Sequence, residues 1–235
     1  MKAKLIRFLA EILIIFIGIT LSFLFDEYRE SKKDTRVKKE IISALLTDIE
    51  IKRKELEGDM KSVQQAIDPI DTSLYLIKEG KQIPQDLIEK FIWSISYDYG
   101  SFSTTTPTYV SLSSSSIWQQ LPDSIRRDVF ELYNGGYSFV ENSILKSYEY
   151  SVYLKNHFFT SHRFSFYNIP DSNLKLGSLS GNIPAELEKS LNDPEFRSAI
   201  LNIRNERTKI IRFQKRAIEM QIRVIALLKN YLKEL

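Results

Sequence analysis

The side chains of this chain that could do covalent or acid–base chemistry are few, and their spacing does not suit them to it. Histidines stand only at positions 157 and 162. Five residues apart, they would sit about 140° from each other around a helix, so they do not make the i, i+4 pair of a helical zinc site. Cysteine is absent, which removes thiol catalysis, disulfides and thiolate-held zinc and suits either redox compartment. Serine is concentrated in the stretch YDYGSFSTTTPTYVSLSSSS, residues 97–116. A nucleophile there would need the exposed turn of a G-x-S-x-G motif, or a lysine three residues on to take its proton, and neither occurs. A hydrolase hidden in 96–116 or around His157 and His162 stays open as an alternative, while the residues favour a polar loop with one short helix after Pro107. The expectation is no catalytic residue, no cofactor and no metal: a protein that is not an enzyme.

One further ionisable group stands in an unusual place. Glu11 lies within the run LIRFLAEILIIFIGITLSFLF, Leu5 to Phe25, which carries no charge after it. Twenty-one helical residues span about 31 Å, the hydrocarbon thickness of a bilayer, so the run reads as a single transmembrane helix. Arg7 is near enough to its end to snorkel, but an ionised carboxylate at Glu11 would cost a few kcal/mol, on the order of the insertion scales. Glu11, Ile15, Gly18 and Ser22 follow at steps of four, three and four, which puts them on one face. Small residues and a polar group on one face of a membrane helix suit a partner helix, so this stripe is a candidate association seam for a homo-oligomer. An ion-conducting or gating assembly lined by several copies of Glu11 is the alternative use of the same residue. The basic start MKAKLIRF resembles an export signal, but bulky Phe and Leu occupy the place of a cleavage site, and an uncleaved anchor is expected.

The rest of the chain must position whatever these residues do. With 33 Lys and Arg against 30 Asp and Glu, the net charge is +3, too balanced for a nucleic-acid binder. Eight glycines and seven prolines in 235 residues favour long helices over β-structure. Two units are expected: residues 1–25 as tail and anchor, and 26–235 as an all-α soluble domain. No proline or glycine interrupts the chain between Phe25 and Gly58, so the anchor should continue into a long helix over about 26–67, which Pro69 ends or kinks. Its stripe is Val37, Ile41, Leu45, Ile49, Leu56, Met60, Val63 and Ile67, interrupted at Lys52 and Arg53. This is near a coiled-coil period and also suits packing into a helical bundle.

Short helices are expected over 71–79 and 85–96, the latter burying Leu87, Ile88, Phe91 and Ile92. Another should start at Pro122, capped by Asp123 or Ser124, with Ile125, Val129, Phe130 and Leu132 inward and a break at Asn134 to Gly136. A helix over about 137–159 would turn in Val140, Ile144, Leu145, Tyr148 and Val152. After an irregular stretch, 163–182, and a short helix from Pro184, Asp193-Pro194 should open a long helix over 193–235. Its stripe runs Phe196, Ile200, Ile203, Ile210, Ala217, Gln221, Ile225, Leu228, Leu232, Leu235, skipping Arg207. Matching lengths predict that the two long helices pack antiparallel, with the C-terminus near the membrane.

Glu11, Ile12 and Gly18 in the anchor, Asp26-Glu27 leading to ALLTDIEIKRKEL, Thr108-Tyr109 and Leu112-Ser113-Ser114 before LPDSIRRDVFELYNGG, and LNDPEFRSAIL before the last helix together carry a resemblance. The chain resembles a family of uncharacterised single-pass, N-terminally anchored helical membrane proteins of Gram-negative bacteria, a domain of unknown function. It departs at Ser115 and Ser116, where a glycine is expected, and it lacks the polar Asn-x-Trp-Asn run after the anchor. The resemblance implies architecture and no mechanism. Counting Lys and Arg on either side of the anchor favours a cytoplasmic domain, whereas the short, purely basic start favours N-in with the domain in the periplasm; the second orientation, in a bacterial inner membrane, is the expectation. The function these features suggest is a scaffold or sensor anchored in the lipid bilayer, self-associating through Glu11, Ile15, Gly18 and Ser22, and presenting a loop-rich head to a protein partner.

Overall fold

The computed structural model describes residues 2–96, 102–154, 156 and 189–235, and their side chains apart from those of 2–12, 14 and 96. Among the described residues all regular structure is helical. In chain order the helices are α1 (Lys2–Lys78), α2 (Gln85–Ser96), α3 (Pro107–Ser113), α4 (Ser116–Gln120), α5 (Asp123–Glu131), a π-helical turn (Leu132–Tyr137), α6 (Ser138–Leu154) and α7 (Pro194–Glu234). Of the expected helix from Pro184, residues 189–192 are described and helical, with Leu191 buried; its start and the stretch 163–182 lie outside the described residues.

Helix α1 is one helix of 77 residues, about 115 Å long at the helical rise. It continues through Pro69 to Lys78, so the stop expected at Pro69 and the separate helix over 71–79 are both corrected. Proline removes one backbone donor and crowds the preceding turn, but Ala66, Ile67, Ile70 and Ser73 around it are buried, and that packing holds the helix together. The helix ends at Gly80 (φ +66°). The Gly80 N–H donates to Ile77 O at 3.0 Å and the Lys81 N–H to Leu76 O at 2.9 Å, the paired bonds of a Schellman cap that only glycine enters without strain.

Helix α7 starts as expected: Asp193 accepts from the N–H groups of Glu195 (2.8 Å) and Phe196 (3.4 Å) with Pro194 in the first turn. It runs antiparallel to α1. Arg204 forks onto the Asp71 carboxylate at 2.8 and 3.1 Å, while 25 residues later Lys229 pairs with Glu50 at 2.8 Å. Extrapolated, Leu235 falls beside about residue 44, roughly 28 Å along the helix from Phe25. The expected match between α7 and the whole polar part of α1 is thereby corrected: burial begins at Ile42, Val37 is exposed, and residues 26–40 project as a stalk.

Between the long helices lie two apolar clusters. One joins Ile42, Leu45, Ile49, Leu56 and Val63 of α1 to α3, α5, the π-turn, the start of α6 and Ile210 to Leu228 of α7. The other joins Ile70, Ile83, Ile88, Phe91, Ile92, Ile95 and Leu154 to Phe196, Ile200 and Ile203. At about 1.5–3 kcal/mol per fully buried large aliphatic side chain, these clusters outweigh the propensity costs of the interior proline and glycines. The product is a helical bundle rather than a free coiled coil.

Several details depart from the patterns. Two short helices, α3 and α4, follow Pro107 in place of one, with Thr106 Oγ1 accepting from Tyr109 N–H at 3.2 Å. At α5 the capping position is Pro122 and no side chain caps it; Asp123 pairs instead with Arg126, and Phe130 is exposed. No break occurs at Asn134 to Gly136. A π-turn carries α5 directly into α6, and Gly136 lets that wider turn press on α7, where a Cβ would meet Met220 Sδ at 3.2 Å. On α6 Leu145 and Tyr148 face outward, while Ser143, Ser147 and Ser151 are buried beside Val140 and Ile144. Small side chains at every fourth position allow close approach of a neighbouring helix, which the apolar count along α6 did not reveal.

Candidate functional site

The expected association face lies on α1. Gly18 has nothing within 4 Å of where a Cβ would sit, and Ser22 Oγ donates to Gly18 O at 3.0 Å, so its hydroxyl is satisfied within the helix. Ile15, Gly18 and Ser22 share an open groove with Ile19, Phe23 and Asp26. The side chain of Glu11 lies outside the described residues, so three of the four seam positions are placed by the structure. Around this groove the helix is apolar on every side: Leu13, Ile15, Phe16, Ile17, Ile19, Leu21, Leu24 and the phenylalanines at 23 and 25, the last two about 70% exposed (72% and 71%), all face outward. Among the described residues no helix is long and apolar enough to cross a membrane. They do not by themselves support the transmembrane reading of Leu5–Phe25, part of whose side chains lie outside them.

In the bundle the structure assembles polar residues that the sequence patterns passed over. Lys52, read as an interruption of the α1 stripe, is only 8% exposed. Its ammonium donates to Ser103 O at 2.5 Å and stands over the rings of Phe102 (4.8 Å) and Tyr137 (5.3 Å), a carbonyl and two π faces in place of water. Burial lowers its pKa from the ordinary lysine range. Tyr133 stacks on Tyr109 with ring centroids 3.9 Å apart and meets Tyr137 edge to face at 5.0 Å. Each hydroxyl has a partner: Tyr109 accepts from Asn134 Nδ2 at 2.8 Å, Tyr137 accepts from Gln221 Nε2 at 2.9 Å, and Tyr133 lies 3.4 Å from Thr106 Oγ1. Desolvation pushes Tyr133 up to about 12 and Tyr137 higher still. A lysine with a depressed pKa is a possible nucleophile, but here the amine is covered and committed to Ser103 O, so the cluster clamps residues 102–106 onto α1.

A second buried cation sits where the two apolar clusters meet. Arg207 has no exposed surface. Its Nη1 donates to Ala66 O at 3.1 Å and its Nη2 to Ser94 O at 2.5 Å. Ala66 O lies in the turn that Pro69 crowds, and Ser94 O is among the last carbonyls of α2, which have no partner within their own helix. The guanidinium fork thus ties α7 to the proline turn of α1 and to the end of α2. Both cations were detectable by register. Lys52 lies three after Ile49 and four before Leu56, and Arg207 lies four after Ile203 and three before Ile210, each occupying a stripe position.

The serines proposed as nucleophiles are turned to local use. Ser113 and Ser114 donate to Val110 O (3.1 and 2.9 Å), Ser115 to Leu112 O (2.8 Å) and Ser103 to Thr105 O (3.0 Å). His157 and His162 lie outside the described residues. Among the described residues no group of three or more His, Asp or Glu is placed to hold a metal ion. No family model matches the chain, and neither does any curated protein or solved structure.

Proposed function

We propose that this chain is a membrane-anchored, non-enzymatic helical scaffold or sensor, held by Leu5–Phe25 and carrying its bundle on the stalk of α1. One observation supports it most: the apolar collar from Leu13 to Phe25 is exposed all round the helix, with no described element against it. A helix that is apolar on every face belongs in lipid or in a protein core, and so many large side chains in water would cost about 1.5–3 kcal/mol each. The bilayer also accommodates the length of the whole run. Self-association through Glu11, Ile15, Gly18 and Ser22 and a protein partner at the head complete the reading, with an N-in orientation in a bacterial inner membrane suggested by the basic start and by the family resemblance.

Two measurements test it. Membranes from cells producing the full chain are washed at alkaline pH with carbonate; retention in the pellet is expected, and release into the wash refutes the anchor. Alkaline phosphatase or a fluorescent protein that matures only in the cytoplasm is fused after Leu235. Phosphatase activity is expected, and bright fluorescence with a silent phosphatase reverses the orientation.

A further inference from the structure

The stalk, residues 26–40, is an unbroken helix that no other described element covers. At 3.6 residues per turn its charges fall into two stripes. Arg29, Lys32, Lys33, Arg36 and Lys39 share one side, joined by Glu40, which Arg36 holds at 2.9 Å. Asp26, Glu27, Glu30 and Asp34 share another, roughly 140° around the axis, and only Lys38 stands beyond their edge. The arrangement stabilises a lone helix only in part, through Asp26 with Arg29, Glu30 with Lys33, Asp34 with Lys38 and Arg36 with Glu40. Asp26, Glu30 and Asp34 stand four apart, as do Arg29 with Lys33 and Lys32 with Arg36. Such neighbours repel when like-charged and attract when opposite. Along the stalk like-signed neighbours at these spacings outnumber opposite-signed ones, so each stripe keeps a surplus of one sign that a partner of the other sign would offset.

We infer that the stalk docks on a second copy of the same chain, the basic stripe of one copy against the acidic stripe of the next, both helices parallel. Parallel orientation is what an anchor shared in one membrane imposes, so this part rests on the reading of Leu5–Phe25 as that anchor. The registers agree: Gly18 and Ser22 lie on the side of α1 that continues into the basic stripe, and Ile19 and Phe23 lie toward the acidic one. The contact that pairs the charges therefore also seats large side chains of one copy against the small residues of its neighbour. A two-fold dimer through the Gly18 face would set Arg29, Lys33 and Arg36 against their own copies. The unlike faces instead make a head-to-tail contact, which closes as a ring of more than two copies. Anionic lipid headgroups would be met by the basic stripe alone, and the four acids in the same turns oppose that occupant.

The test uses the full chain in mild detergent, with two triple variants carrying different tags: Lys32→Glu, Lys33→Glu, Arg36→Glu in one, and Glu27→Lys, Glu30→Lys, Asp34→Lys in the other. Light scattering should give a mass above that of two chains for the wild type, falling as salt is raised from 50 to 500 mM. Each variant alone should lose at least tenfold in association. The two co-expressed should recover it and co-purify, since each supplies the stripe the other has lost. Substitutions on the uncovered stalk should leave the thermal unfolding of the bundle unchanged, which separates lost pairing from misfolding. Wild-type mass of one or two chains, unimpaired variants, or no recovery on mixing overturns the inference. So does an acid-to-basic variant that merely binds vesicles of anionic lipid more tightly. Release of the chain by carbonate would remove the anchor reading and leave the exchange between tagged variants as a separate test of the stalk.

Discussion

At the scale of single residues, two cations decide how the bundle is put together. Arg207→Met keeps the aliphatic volume but leaves the carbonyls of Ala66 and Ser94 without their donor, and it should cost about 2–4 kcal/mol in urea unfolding. Arg207→Lys should recover little, because a compact ammonium does not reproduce the planar fork that reaches both carbonyls. Lys52 and the tyrosines pull alkaline stability in opposite directions. Tyr133 is held protonated up to about 12 in the folded chain, while an unfolded tyrosine ionises at its ordinary value of about 10. The unfolded state therefore loses its proton first, and this contribution falls away as pH rises from about 10 to about 12. For Lys52 the folded pKa is lowered, so the unfolded state binds the proton more tightly and the contribution grows as pH rises toward the unfolded value. Urea midpoints followed from pH 8 to 11 should decline less steeply in Tyr133→Phe than in the wild type, and more steeply in Lys52→Met. Equal slopes in all three would show that neither group's proton affinity differs between the folded and the unfolded chain.

At the scale of elements, backbone geometry separates glycines that look alike in the sequence. Gly58 lies within α1 with open space where a Cβ would go, so Gly58→Ala should stabilise the chain by about 0.5–1 kcal/mol through helix propensity alone. Gly80 has equally open space, but its φ of +66° makes Gly80→Ala a loss of about 1–2 kcal/mol. Thermal unfolding of the two variants should move in opposite directions, and a shared direction would contradict the cap. The junction of α5 and α6 depends on the neighbouring helix as well. Asp128 of α5, buried, takes Arg223 of α7 at 2.9 Å, and the π-turn beside it sets Gly136 against Met220. A wider turn that would be costly in isolation is kept because it aims both α5 and α6 at the same face of α7.

At the scale of the whole molecule, the packing moves the C-terminus. Equal helix lengths suggested that α7 returns to the membrane surface, whereas its pairing with Ile42 to Asp71 leaves Leu235 about 28 Å from Phe25 along α1. A chain without cysteine allows this to be measured directly. A nitroxide on a single cysteine at Phe25 should be relaxed by oxygen dissolved in lipid. One at Leu235 should respond to a water-soluble nickel chelate. Lipid-phase relaxation at both positions would return the C-terminus to the membrane and refute the free stalk. On the proposed anchoring, such a stalk would hold the bundle clear of the headgroups and leave the charged stripes of residues 26–40 accessible to a neighbouring copy.

The all-helical class of the described residues, the Asp193-Pro194 start of α7, the antiparallel pairing of two long helices and most of their buried stripe were legible in the order of the amino acids. Each follows from local rules: period, capping chemistry and scarcity of breakers act within one or two turns. Folding settles what local rules leave open: that α1 passes through Pro69, that Asn134 to Gly136 bridge rather than break, and which groups receive Lys52, Arg207 and Gln221 inside the bundle. A charge or an amide is tolerated inside when distant groups take up its hydrogen bonds. Here those groups are Ser103 O, Ala66 O, Ser94 O and the Tyr137 hydroxyl, brought 51, 141, 113 and 84 positions along the chain to their partners. Register alone places Lys52, Arg207 and Gln221 at stripe positions, but no pattern read over a few turns registers contacts at that separation, and for that reason their partners became visible only once the chain was folded.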